Sequence, residues 1–197
     1  MSAARTFSIA VVIVAGIVNA SCSTVEVRQQ AERIAIADDV FLLLPVASEL
    51  TESFNATQVI SAEYEDRSFS FQAHLESRPG KITIVALGAL GGPLFSISYD
   101  GSELQASGSA EAQVVNAEYV LADVLLAHWN VDWLNERLQG ASIETSADGS
   151  SRFVSRQDEL LIGINYETPD PWGGKATLTH LERGYVLDIR TAEYSSQ

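Results

Sequence analysis

Residues Lys81–Gly101 read KITIVALGALGGPLFSISYDG and predict a β-hairpin on which the rest of the sheet is built. Side chains alternate between the two faces of a strand, so every second residue shares a face. The apolar residues that share one face of this hairpin are Ile82, Ile84, Ala86, Phe95, Ile97 and Tyr99. An alternation of this kind is typical of an antiparallel sheet with one face on the core and one in water.

The turn of this hairpin is unusual because it contains no charged residue. It reads LGALGGP from Leu87 to Pro93, whereas turns are normally polar. An exposed leucine forgoes roughly 1.5–3 kcal/mol of burial free energy. We therefore expect Leu87, Leu90 and Gly91 to form a tip that contacts another molecule or a membrane.

Length and composition predict a single domain and argue against nucleic acid as a partner. The 197 residues include 12 Lys+Arg against 26 Asp+Glu, for a formal net charge of −14. A surface this acidic repels nucleic acid and offers no basic patch to anionic lipids. The length predicts a single domain with enough chain for a sizeable core.

Residues 1–21 predict a secretory signal peptide. Arg5 precedes an apolar run, Phe7–Val18, that is too short to span a bilayer comfortably. The alternative is an ordinary membrane anchor. Cleavage after Ala20 by the ordinary signal peptidase would leave a soluble periplasmic protein.

Cys22 is the one cysteine of the chain, so it has no intramolecular disulfide partner. Its place after Ala20 and Ser21 resembles the bacterial lipobox, in which the cysteine is acylated, although Asn19 stands where that motif has an aliphatic residue. In the enteric lipoproteins that it resembles, Ser23 in place of Asp implies the outer membrane. We expect a lipid-anchored protein there, on the periplasmic face, with residues 22–40 forming a tether or a short helix.

The remaining residues, 41–197, predict one domain of antiparallel strands interrupted by helices. Asn116 can cap an almost wholly apolar helix, Ala117–Trp129, which must be buried on most sides. A second short helix, Val131–Leu138, follows. The strands resume near Ile143, and the apolar residues predicted to share a face of one strand are Leu160, Ile162, Ile164 and Tyr166.

Four segments, taken in order, resemble an uncharacterised family of bacterial outer-membrane lipoproteins related to LolB: GGPLFSISYDG, AEYVLADVLLAHW, TPDPWGG and LTHLERGYVLDIRT. The resemblance implies an α+β fold, mainly antiparallel β. An unclosed half β-barrel of about 10–11 strands would wrap a buried helical plug, as in LolA and LolB. In LolB-like proteins a protruding leucine assists delivery to the membrane, and Leu90 stands at that place, with Ala89 where LolB has proline.

The resemblance implies that the chain binds acylated or hydrophobic cargo in an apolar cavity and transfers it to or from the outer membrane, with a periplasmic carrier as a possible partner. The alternative is a structural or assembly lipoprotein that docks a protein partner through its apolar tip. Candidate lining residues, each of which could equally be plain core, are Phe69, Phe71, Ile82, Ile84, Phe95, Ile97, Leu125, Trp129, Ile162 and Ile164.

No enzyme motif is present, and we expect no catalytic site, metal or cofactor. His74, His128 and His180 fall on separate predicted elements, without the clustered spacing of a zinc site. Asp123 is the most unusual carboxylate, because it lies on the apolar helix. We expect it to be buried with a hydrogen bond to backbone or arginine; a general acid with a raised pKa is the alternative.

Overall fold

The structure is a computed structural model, and it describes residues 25–109 and 116–196. The signal peptide and Cys22 lie outside the described residues. In the described part of the chain, neither helix is long and apolar enough to cross a membrane.

The described residues form fourteen strands, two α-helices and one turn of 3₁₀-helix at Ala47–Glu49. The first eight strands are β1 Val25–Gln30, β2 Arg33–Ala37, β3 Val40–Leu43, β4 Phe54–Tyr64, β5 Arg67–Arg78, β6 Lys81–Leu87, β7 Pro93–Tyr99 and β8 Glu103–Gly108. The helices are α1 Ala117–His128 and α2 Val131–Asn135. The later strands are β9 Leu138–Gln139, β10 Ser142–Thr145, β11 Ser151–Arg156, β12 Glu159–Tyr166, β13 Lys175–His180 and β14 Tyr185–Ser196.

Eleven strands form one antiparallel sheet in the order β1-β8-β7-β6-β5-β4-β14-β13-β12-β11-β10. The sheet is unclosed, because β1 and β10 stand at its two ends and do not pair with each other. The remaining strands form a small sheet, β2-β3-β9. The predicted fold class, mainly antiparallel β with a large unclosed sheet around a helix, is confirmed.

The prediction for the N-terminal segment is wrong where the structure describes it. Residues 25–40 are not a tether or a helix, because they form β1, β2 and the start of β3. Alternation explains β2, in which Ile34 and Ile36 are buried while Arg33 and Ala35 are exposed. The same spacing of apolar residues was also compatible with an amphipathic helix.

The opening hairpin places the predicted residues on one face. Ile84 lies opposite Ile97, and Ala86 lies opposite Phe95. All four side chains are buried. The pairing shifts between Ala86 and Leu87, where the turn begins.

The two helices follow the prediction, with one change. Asn116 caps α1 by accepting hydrogen bonds from the backbone N–H groups of Glu118 and Tyr119. The second helix is shorter than predicted, because it ends at Asn135 and Leu138 instead begins β9 beside β3. A five-residue helix has too few internal hydrogen bonds to hold on its own, so packing decides where it ends.

A β-bulge in β12 changes which of its residues share the inner face, so the prediction for this strand is corrected. Val154 pairs with Ile162 and Ser155 pairs with Leu160, so Leu161 is an extra residue in β12. As a result Leu161 is buried, whereas Leu160 is 40% exposed and does not share the inner face with Ile162 and Ile164.

The C-terminal end of α1 is held by a buried arginine. Arg152, on β11, donates hydrogen bonds to the carbonyls of Leu126 at 2.9 Å and Trp129 at 2.8 Å. These carbonyls belong to the end of a helix, where carbonyl groups lack helical partners and carry partial negative charge. Arg152 therefore fixes α1 to the sheet. It also donates to two carbonyl groups that an apolar side chain would leave without a donor.

Replacing Arg152 by Met should lower the free energy of unfolding by about 2–4 kcal/mol, because two buried carbonyls lose their donor. Chemical denaturation of the full chain measures the change. The matched control is Arg190→Met, at an exposed position of β14, which should change stability by less than about 0.5 kcal/mol. Equal effects of the two substitutions would contradict the role given to Arg152.

Candidate functional site

A cavity of about 690 Å³ lies between one face of α1 and the concave face of the large sheet. The face of α1 that lines it consists of residues spaced three or four apart, namely Tyr119, Val120, Asp123, Val124 and His128, preceded by the cap Asn116. At a rise of 1.5 Å per residue, this face runs for about 18 Å.

Most of the cavity wall is apolar. The inward residues of β4 and β14 supply one part, because every second side chain of a strand points to the same face. The apolar lining residues are Ile60, Ala62, Phe69, Phe71, Ala73, Leu75, Ile84, Phe95, Val120, Val124, Leu187 and Ile189.

The structure places the ten residues proposed for the lining in two groups. Four of them line the cavity: Phe69, Phe71, Ile84 and Phe95. The other six are buried in the packed core: Ile82, Ile97, Leu125, Trp129, Ile162 and Ile164. Alternation identifies the inner face of a strand, but it does not distinguish a residue beside a cavity from a residue packed against a neighbour.

One side of the cavity is polar, and we call it the polar strip: Tyr119, Asp123, Arg183 and Tyr185. The Tyr185 hydroxyl donates to the Asp123 carboxylate and lies 2.9 Å from both of its oxygens. The prediction that a backbone group or an arginine bonds Asp123 is therefore wrong, because the hydrogen-bond donor is a tyrosine hydroxyl.

Burial controls the charge of this pair. It raises the pKa of Asp123 to about 7, although the hydrogen bond from Tyr185 and the charge of Arg183 both act in the opposite direction. Burial also raises the pKa of Tyr185, and the neighbouring Asp123 raises it further. The tyrosine therefore stays a donor while the carboxyl group titrates near neutral pH.

Arg183 completes the polar strip. Its guanidinium lies over the ring of Tyr119, 3.5 Å from the ring centroid, and it donates a hydrogen bond to the carbonyl of Ala35. These contacts hold the cation in place at the cavity wall, close to Asp123.

The end of the cavity near His128 is bordered by an aromatic stack. The His128 ring lies 3.8 Å from the ring of Trp172, in the Thr168–Gly174 loop, and Trp172 in turn stacks on Tyr194 at 4.7 Å. Gln58 approaches His128 Nε2 at 3.1 Å and donates to Thr191 Oγ1 at 3.2 Å. Burial, with the charge of Arg152 next, lowers the pKa of His128 to about 3, so the ring is neutral at physiological pH.

The opposite end of the cavity is its mouth. Among the lining residues there, Tyr64 is 41% exposed and Phe69 is 44% exposed. Both flank the β4–β5 turn. Glu182 and Arg183 of the β13–β14 turn lie at the same end, because Tyr185 pairs with Tyr64.

The apolar tip lies at the end of the sheet that carries the mouth. β6 ends at Leu87, opposite Gln72, and β5 runs from there back to the β4–β5 turn. Leu90 is fully exposed, at 102% of its reference area. Leu87 is half-buried, and Gly91, with φ of +77°, adopts the left-handed conformation that the turn requires.

Sequence reasoning missed the other residues of the polar strip. The helical spacing from Asp123 could have identified Tyr119, which lies four residues earlier on the same face. Nothing local in the sequence could have identified Arg183 and Tyr185, because they come from a hairpin 60 residues further along the chain. Within residues 25–109 and 116–196, no three His, Cys, Asp or Glu side chains come close enough together to hold a metal ion.

Together these features define a mainly antiparallel β protein with an unclosed sheet, a buried helix and a largely apolar cavity between them. The profile of one family, described as "Protein of unknown function (DUF3261)", matches residues 55–193. The chain belongs to this family. The predicted match to an uncharacterised family is thus confirmed, while the relation to LolB and the lipidation stay predictions.

No curated protein matches the chain. Among solved structures, a LolA superfamily protein from Nitrosomonas europaea is similar with a TM-score of 0.43 and 13% identity, over 77% of this chain and 90% of that chain. A putative outer membrane lipoprotein-sorting protein domain from Vibrio parahaemolyticus is similar with a TM-score of 0.41 and 10% identity, over 74% of this chain and 85% of that chain.

The raised pKa of Asp123 predicts a stability that depends on pH. Between pH 3.8 and about 7 the folded chain keeps a proton that the unfolded chain has lost, so this group lowers the free energy of unfolding as the pH rises. Asp123→Asn removes the titration. The stability of the variant minus that of the wild type should therefore rise across this range, by up to about 1.4 kcal/mol per pH unit, and level off above it.

Denaturation of both proteins at a series of pH values measures that difference. Contributions from the two buried histidines, His128 and His180, are common to both proteins and cancel. Tyr185→Phe removes a donor that lowers the pKa of Asp123, so it should move the upper end of the slope to higher pH. A difference that is independent of pH would contradict the assignment.

Proposed function

We propose that this protein binds acylated or otherwise hydrophobic cargo in its cavity and helps to transfer that cargo to or from the outer membrane. The observation that carries the proposal is the cavity of about 690 Å³, with a largely apolar wall and an exposed mouth. Volumes of this size are typical of ligand sites, whereas well-packed cores leave few voids larger than a water molecule.

The energetics suit a carrier. Each methylene that leaves water gains about 0.8 kcal/mol. A bilayer offers the chain a similar gain, so the cavity only needs to match it for exchange to run in either direction. A cavity wall dominated by aliphatic and aromatic side chains provides such a match.

The tip supports delivery at a membrane. Leu90 stands free in solvent at the end of the sheet where the cavity opens, and the turn around it carries no charge. If this tip enters the headgroup region, the mouth faces the lipid. In this proposal Cys22 carries the lipid anchor, the protein lies on the periplasmic face of the outer membrane, and a periplasmic carrier is a partner.

Filling the cavity should abolish loading. Ala62 lines the cavity on β4, so Ala62→Trp places a large ring in the space that the cargo needs. Its neighbour Ser61 lies on the opposite face of the same strand, where its hydroxyl meets that of Ser70. Ser61→Trp is therefore the matched control.

The measurement is uptake of a fluorescent fatty amide, whose headgroup carries no charge, by the purified full chain. We expect uptake by the wild type and Ser61→Trp, and a loss of about tenfold or more in Ala62→Trp. If the wild type takes up no probe, or if Ala62→Trp takes up as much as the control, the proposed function is wrong.

Leu90→Glu should separate loading from delivery. The protein should still load the fluorescent fatty amide but release it about tenfold more slowly to vesicles of phosphatidylethanolamine and phosphatidylglycerol, because a charged tip loses the leucine's burial energy. Val46→Glu is the control, since Val46 is also exposed, at 53%, but lies at the opposite end of the sheet, near Gly80 and Gly101.

The vesicle assay also distinguishes the alternative of a docking protein. In that case Leu90→Glu would leave release unchanged and instead abolish capture of a protein partner. Equal slowing by both glutamate substitutions would show that added charge, and not the tip, sets the release rate.

A further inference from the structure

The volume of the cavity limits the number of acyl chains that it can hold. A methylene is about as large as a water molecule, which occupies about 30 Å³ in the liquid. A cavity of about 690 Å³ therefore holds on the order of 20 such groups. One chain of 16 to 18 carbons is therefore enough to occupy it.

The polar strip sets a chemical requirement on the headgroup of such a chain. A carboxylate has about four acceptor positions. Among the described residues, the Tyr185 hydroxyl is the hydrogen-bond donor to Asp123. A hydroxyl has one hydrogen to donate, so the carboxylate retains acceptor capacity at the wall of the cavity.

Arg183 presents the complementary group on the same wall. A guanidinium has five N–H donors, and one of its terminal nitrogens bonds the Ala35 carbonyl. The stacking on Tyr119 fixes the plane of the guanidinium. The strip therefore offers both an acceptor and a donor to whatever enters the cavity.

We propose that the cargo is a single-chain amphiphile with an uncharged headgroup that both donates and accepts hydrogen bonds, an amide or a hydroxyl. Its donor bonds Asp123, its acceptor receives a hydrogen bond from Arg183, and its chain lies along the apolar wall. This inference rests on the proposed function, because it specifies the cargo of the same cavity.

Other headgroups fit the polar strip less well. A carboxylate can pair with Arg183, but it places a second negative charge beside Asp123 and has no hydrogen to donate to it. A methyl ester accepts a hydrogen bond but donates none, so the acceptor capacity of Asp123 stays unmet. An ammonium group satisfies Asp123 but offers nothing to Arg183 and brings a second positive charge close to it.

Photo-crosslinking with matched probes tests the proposal on the full chain in lipid nanodiscs. Three probes share a 16-carbon chain with a diazirine at its far end, and they carry a carboxamide, a carboxylate or a methyl ester. A fourth probe is a diacylglycerol with the same diazirine in one chain. Mass spectrometry of the digested protein reports how much of each probe labels the residues of the cavity wall.

At pH 8 we expect the carboxamide to label the cavity about tenfold more than the carboxylate or the ester, which is the effect of one hydrogen bond to a charged group. The diacyl probe should not label it. Equal labelling by the three single-chain probes would overturn the headgroup inference and leave the proposed function intact. Labelling by the diacyl probe would overturn the one-chain limit, and an absence of cavity labelling by every probe would overturn the proposed function itself.

Asp123→Asn provides the decisive variant. The asparagine keeps an acceptor and adds a donor, so it should retain the carboxamide and increase labelling by the carboxylate about tenfold. An unchanged preference would overturn the role of Asp123. If this variant does not fold, Tyr185→Phe serves instead. It removes a donor that lowers the pKa of Asp123, so at pH 8 more of the carboxyl group is protonated and the preference for the carboxamide over the carboxylate should shrink. An unchanged preference would count against the inference.

Discussion

The burial of α1 is the constraint on which the rest of the structure depends. Every residue from Leu121 to His128 is buried, and a helix that is apolar nearly all round must be enclosed. The large sheet curves around it, and the small sheet packs against it through β2. Enclosure leaves polar groups of α1 that need partners inside the protein. Three sites meet this need: Asn116 caps the start, Arg152 bonds carbonyls at the end, and Tyr185 bonds Asp123 between them.

The sheet packs directly against α1 on one side of the helix but not on the other. Towards β12 the helix is packed tightly, with the Tyr166 hydroxyl bonded to the Ala127 carbonyl at 2.6 Å. Towards β4, β5 and β14 the cavity separates helix from sheet. Trp172 and His128 lie at one end of this space, and the Leu90 tip lies at the opposite end of the sheet, where the mouth residues Tyr64 and Phe69 are exposed. Under the proposed function, the cavity, the exposed Leu90 and the polar strip have one joint explanation, which is an acyl chain that enters at the open end of the cavity.

The sequence was sufficient wherever local periodicity determines structure. The hairpin from Lys81 to Tyr99, the cap at Asn116 and the apolar helix follow from spacing alone. The bulge at Leu161 was not predictable, because one inserted residue reverses the faces of a strand without disturbing its composition. The same limit explains the cavity: Ile97 and Phe95 share a face and a hydrophobic character, yet only Phe95 lines the open space. Arg183 and Tyr185 reach Asp123 only through the pairing of β14 with β4, which is a long-range contact.

The central claim is that the space beside α1 holds one acyl chain, and native mass spectrometry of the protein taken from its own membranes tests it most directly. The claim predicts a non-covalent adduct with the mass of a single-chain amphiphile on the wild-type protein, and its absence from Ala62→Trp. A wild-type protein that carries no such adduct, or an adduct that persists when the cavity is filled, would contradict it.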